Sequence, residues 1–295
     1  MSPHSCCVKP LFTPSTLTSV FCKGNSCVIY TDPGQAKRLA RHLERVLVVD
    51  PQPASTRLIT ELLKDLGARF VMIESSNSRA MAVARAEDPQ IIFCEYSGGD
   101  VDGLELTRQL RRSELRCRQA PVVMVTSEAT AQAILGARDA GVHEFLRKPY
   151  TIKDLVRRLE AVTLKQRDWV EAVRYIGPDR RRFNSGDYKG PRKRKSDTKA
   201  MPEASRIEQA LRILKSAVGA IESDPRQALR AMQAQVIDLT KGAVAIGDNR
   251  LAAAAASLQY CLTECQQSGH MNRPKIEQAC LGLWPYLPAD SERAA

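Results

Sequence analysis

Between residues 45 and 165, five short apolar, β-branched runs alternate with five segments of helical period, and this alternation leaves few folds open. Arg45–Val49 reads RVLVV, and further strand runs follow at 70–73, 91–94, 121–125 and 142–146. Leu58, Leu62, Leu63 and Leu66 recur at helical spacing until Gly67. Helices are likewise expected at 80–86, 104–110 and 129–140. Thr151, with Asp154 three residues on, caps a last one. Strands separated by helices predict a parallel sheet covered on both faces, because a parallel pair needs a crossover. The unbroken run PVVMV suits a strand buried on both sides. In such a sheet ligands gather beyond the carboxyl ends of the strands. The loops after Val49, Cys94, Val125 and Leu146 therefore mark the expected site.

Those loops carry a pattern that resembles the receiver domain of two-component response regulators. In that family the first strand ends in two acidic residues. The third ends in a phosphoacceptor aspartate, seven positions before a common Asp-Gly. The fourth ends in threonine or serine. A Lys-Pro follows the fifth, with a switch aromatic three residues before the lysine. Here Asp50, Thr126, Phe145 and Lys148-Pro149 stand at those places, and Asp102-Gly103 supplies the turn. The resemblance spans residues 45–165 and implies a five-stranded, doubly wound, flavodoxin-like α/β receiver.

Two positions depart from the family pattern. Counting back from Asp102 reaches Glu95, and the second acidic position holds Pro51. In the family these positions and the first acid hold Mg²⁺, an ion that demands tight octahedral oxygen geometry and neutralises charge on the transferred phosphoryl group. Here one carboxylate is absent and the other is a methylene longer, off the line of attack. Phosphorylation by the usual route is expected to be very poor, and no metal or cofactor is expected. Two readings of Glu95 stay open. It is either a permanent anion near Lys148 and Thr126 that imitates an acyl phosphate, or a remnant in a receiver used only as a folded surface. Gly98-Gly99-Asp100 resembles a fragment of a cyclic-dinucleotide synthase signature, but its place inside the third-strand loop makes it a coincidence.

Outside the receiver, charge distribution is the main guide. The net charge is +11, and ten of the 44 lysines and arginines fall within 174–199, against three aspartates. The same stretch repeats an aromatic, a Gly-Pro and a basic run. Tyr175-Ile176-Gly177-Pro178 leads to Arg180, Arg181 and Arg182, and Tyr188-Lys189-Gly190-Pro191 leads to Arg192, Lys193, Arg194 and Lys195. These seven basic residues are candidates for a phosphate or an acidic partner. The alternatives are a solvated linker, an acidic protein or membrane surface, and nucleic acid.

From Glu203 the period is helical, with breaks at Asp224-Pro225, Gly247 and Gly269. A bundle of three to four helices is expected. Residues 200–295 carry no net charge, so a DNA-binding output domain is not expected. His270, just past a helix break, is the only histidine beyond His143, which argues against a phosphotransfer bundle. The nine cysteines have no C-x-x-C spacing, which suits reduced thiols in a cytoplasmic protein. No run is long and apolar enough for a membrane span, and 11–22 lacks the features of a signal peptide.

The expected division is a disordered tail and short basic helix at 1–44, a receiver at 45–165 that folds alone, a basic linker at 166–202, and a small all-α bundle at 203–288. The expected function is that of a non-enzymatic signalling adaptor, acting through protein partners in a bacterial two-component phosphorelay. The alternative is a nucleic-acid-associated regulator using 174–199. Self-association as a homodimer stays open.

Overall fold

The computed structural model describes residues 38–128, 130–165, 167–180 and 203–288, and the backbone of 19–23 and 26–30. Five parallel strands, β1 (Arg45–Val49), β2 (Phe70–Glu74), β3 (Ile91–Glu95), β4 (Val122–Thr126) and β5 (Glu144–Arg147), lie in the order β2-β1-β3-β4-β5. The helices α1 (Pro53–Asp65), α2 (Asn77–Glu87), α3 (Gly103–Arg112), α4 (Ala131–Ala140) and α5 (Ile152–Thr163) follow the strands in turn. Side chains alternate across a strand, so the apolar runs fill two cores. Val46 and Val48 pack with Leu63, Leu155 and Leu159, while Leu47 and Val49 face Ala80, Ala84, Leu106 and Leu110. Winding reverses between β1 and β3, which places the crevice of this fold at the ends of those strands.

Local signals set the helix ends. Thr151 and Asp154 form the expected capping box. Gly141 closes α4 at φ 90°. The Gly141 amide donates to Arg138 O and the Val142 amide to Ala137 O, a Schellman closure. That closure takes up Val142, so β5 begins at Glu144, two residues later than its apolar run suggested.

Three segments differ from the sequence reading. The receiver core starts before residue 45, because Leu39 and Leu43 are fully buried in it. In the tail, Ser19–Lys23 pairs antiparallel with Ser26–Tyr30, opposing Cys22 to Cys27, where disorder was expected. Residues 1–18 lie outside the described residues. Within the expected linker, β6 (Trp169–Glu171) and β7 (Ile176–Pro178) form an antiparallel hairpin. Tyr175 and Ile176 are buried there. A tyrosine, an isoleucine and a tryptophan gain enough apolar burial against the receiver to order a segment whose charge suggested solvation. The second copy of the repeat, at 188–195, lies outside the described residues.

The C-terminal region consists of α6 (Glu203–Gly219), α7 (Pro225–Ile246), α8 (Asn249–Ser268) and α9 (Arg273–Cys280). Asp224 caps α7 ahead of Pro225, and Gly247 and Gly269 end α7 and α8 in the left-handed region. Ile207, Leu211, Leu214, Met232, Val236, Leu239, Leu258 and Leu262 form its core. Among the described residues, no helix is long and apolar enough to cross a membrane, and Cys94, Cys117, Cys261, Cys265 and Cys280 are buried free thiols.

Candidate functional site

Three strand ends bring charge to one point. Asp50 follows β1, Glu95 ends β3, and Lys148 follows β5. Lys148 Nζ donates to Asp50 Oδ2 at 2.8 Å and to Glu95 Oε2. The side chains are 6% (Asp50), 11% (Glu95) and 22% (Lys148) exposed, so the triad is largely withdrawn from water. Backbone amides hold the remaining carboxylate oxygens. Gln52 N donates to Asp50 Oδ1 at 2.8 Å and Tyr96 N to Glu95 Oε1 at 3.0 Å. Burial pulls the Lys148 ammonium toward neutrality, but hydrogen bonds to the two carboxylates and their charge outweigh it and hold its pKa above the ordinary lysine value. Burial, with Glu95, Asp50 and Asp102 nearby, pushes the Cys94 thiol up, so it is no nucleophile.

Thr126 is buried, and its hydroxyl accepts from the Glu128 amide at 3.0 Å. Among the described residues no hydrogen bond joins Thr126 to Glu95. Phe145 is partly buried against the core that includes Leu106 and Met124. Arg180 is not free. Its guanidinium pairs with Asp139 at 2.9 Å and lies 4.3 Å from the Tyr175 ring centroid. Arg181, Arg182, Arg192, Lys193, Arg194 and Lys195 lie outside the described residues.

The residues present do not fit the Mg²⁺ site that the receiver fold implies. Pro51 contributes no side-chain oxygen, and the loop carrying Gly99 packs on its ring; a Cβ added at Gly99 would sit 3.3 Å from Pro51 Cβ. The Lys148 ammonium already joins Asp50 to Glu95, which leaves no pair of free carboxylates for a divalent ion. The arrangement can hold a cation of its own chain between two anions. Sequence reasoning brought these three side chains together through the family pattern. It missed the Gln52 and Tyr96 amides, for which residue identity gives no signal.

Residues 46–160 match the family model described as the response regulator receiver domain. Over 118 residues the chain is 29% identical to the chemotaxis protein CheY of Pseudomonas aeruginosa, covering 40% of this chain and 94% of that protein. It is 29% identical over 119 residues to the chemotaxis protein CheY1 of Helicobacter pylori, covering 40% and 95%. A crystal structure of Vibrio cholerae CheY4 aligns at 22% identity and a TM-score of 0.39, over 41% of this chain and 98% of that one. The family-model match spans the sheet and the strand-end triad, and residues 46–160 belong to the response regulator receiver family.

Proposed function

We propose that this chain is a non-enzymatic signalling protein whose receiver acts in a two-component network without being phosphorylated, as a constitutive surface for protein partners. The observation that carries this reading is Lys148 held between Asp50 and Glu95, beside a proline at the second acidic position. Glu95 stands where the family's phosphoacceptor does. Its oxygens are engaged by the ammonium and by its neighbour's amide. Among the described residues the Thr126 hydroxyl makes no hydrogen bond to Glu95 and instead accepts from the Glu128 amide, which favours a structural ion pair over an imitation of phosphate that would draw that hydroxyl to Glu95.

The test is twofold. Incubation with a small phosphodonor and Mg²⁺ should leave the protein unlabelled; stoichiometric labelling mapping to Glu95 or Asp50 would refute the reading. Partner proteins captured from the native cell should stay bound at high salt. A complex driven by nucleic-acid phosphates loses orders of magnitude in affinity between roughly 50 and 200 mM salt, and that result would favour the basic stretch as the working surface.

A further inference from the structure

The helical bundle is fastened to the receiver at the end of the sheet opposite Asp50, Glu95 and Lys148. The β6–β7 hairpin sits where β4 and β5 begin. It approaches Gly141 so closely that an added Cβ would lie 2.4 Å from Ile176 O. Glu171, 5% exposed, is the centre of the joint. Its carboxylate accepts from Arg118 Nη2 at 2.7 Å, from Trp169 Nε1 at 2.9 Å and from Gln227 Nε2 of α7 at 3.0 Å. Its backbone carbonyl accepts from Gln235 Nε2 at 3.1 Å. Receiver, hairpin and bundle thus share one buried hydrogen-bond network.

One helix touches both this joint and the backbone that carries Glu95. At its start, α3 abuts Glu95. A Cβ on Gly103 would fall 2.3 Å from Glu95 O, and the Gly103 amide donates to Tyr96 O at 2.9 Å. At its end, Arg111 is 1% exposed under the hairpin, giving hydrogen bonds to Gly141 O at 3.1 and 3.0 Å and to Ala120 O at 3.0 Å. Its guanidinium lies 5.2 Å from the Trp169 ring centroid. The next residue, Arg112, pairs with Asp224 at the α7 cap at 2.8 Å and gives a hydrogen bond to Val173 O at 3.3 Å. Arg230 of α7 donates to Arg112 O at 3.0 Å. A ten-residue helix is about 15 Å long and stiff at that length.

We infer that α3 is the strut through which the Glu95 pocket sets the docking of the helical bundle, so that the receiver–bundle joint is what the pocket controls. This rests on the reading of the receiver as a phosphate-independent device, and it adds where that device acts. A rigid element packed at both ends is one route by which such coupling can travel, and α3 is packed against the Glu95 backbone at its start and under the hairpin at its end.

Amide hydrogen exchange of the full chain, read by mass spectrometry, tests the inference. Glu95→Gln keeps the side-chain size and removes the charge, and Asp50→Asn is run in parallel in case one variant does not fold. Exchange should rise by about tenfold in 169–178 and in the first turns of α7, as well as around the pocket. Glu171→Gln, which weakens the joint directly, should raise exchange in 111–119 and 225–235. If the pocket variants change exchange only in 95–102 and 148–150, α3 does not couple the two ends and the inference falls. It also falls if Glu171→Gln leaves 225–235 unchanged. Neither outcome depends on phosphodonor labelling or partner capture, so the inference and the proposed function fail separately.

Discussion

Replacing Lys148 with methionine should cost far more than replacing Glu95 with glutamine. At 2.8 Å and an effective dielectric of about 20, each carboxylate attracts the ammonium by about 6 kcal/mol before desolvation offsets most of it. Glu95→Gln leaves Lys148 paired with Asp50 and keeps a hydrogen-bond acceptor, so the net loss is that of one charged hydrogen bond, about 1–3 kcal/mol. Lys148→Met leaves Asp50 and Glu95, 6% and 11% exposed, facing each other without a cation. Stranding buried charge in this way costs about 3–5 kcal/mol, a fall in Tm on the order of 10 °C. Urea unfolding at pH 7 followed by circular dichroism measures both costs. A Lys148→Met cost below about 1 kcal/mol, or one no larger than that of Glu95→Gln, would show that the triad is not a buried ion pair.

Because the folded-state pKa of Lys148 is raised, its contribution is fully present below the unfolded value of about 10.5 and is lost as pH rises through the higher folded value; urea midpoints between pH 9 and 11.5 should fall more steeply for the wild type than for Lys148→Met. The opposite sign holds for His143. Burial, then Arg111 and Arg167, push its pKa well down, and its Nδ1 lies 3.3 Å from Arg111 Nη2. The unfolded chain therefore binds a proton near pH 6.5 that the folded chain refuses, so stability should decline as pH drops below about 6.5, and His143→Gln should flatten that decline. Glu95→Asp alone should not restore Mg²⁺-dependent phosphodonor labelling, whereas Glu95→Asp with Pro51→Asp should regain Mg²⁺ binding by calorimetry; labelling of the single variant would show that Pro51 is no obstacle. A fragment of residues 45–165 loses two fully buried leucines, Leu39 and Leu43, worth about 1.5–3 kcal/mol each, and uncovers Arg111. It should melt well below a 38–288 chain, and equal melting would place the boundary at 45 after all.

The sequence by itself determined the sheet, its helices, the bundle and the chemistry gathered at the strand ends. Period-two and helical patterns are local, and Asp50, Glu95, Thr126 and Lys148 occupy strand ends that the fold must bring together. Two hairpins went unread although each had a local signal: Gly24-Asn25 between β-rich runs, and Trp169, Val170, Tyr175 and Ile176 within a basic stretch. There, net charge and prolines outweighed short apolar runs whose worth depends on what they pack against. Only the tertiary structure decided that Leu39 and Leu43 belong to the receiver core. It alone decided that Arg111 is buried under carbonyl oxygens, and that Glu171 ties the receiver to the bundle. Burial and hydrogen-bond partners at separations of tens of residues are properties of the packed chain. An arginine at 111 or a glutamate at 171 looks like any other surface charge until the elements that desolvate it are in place.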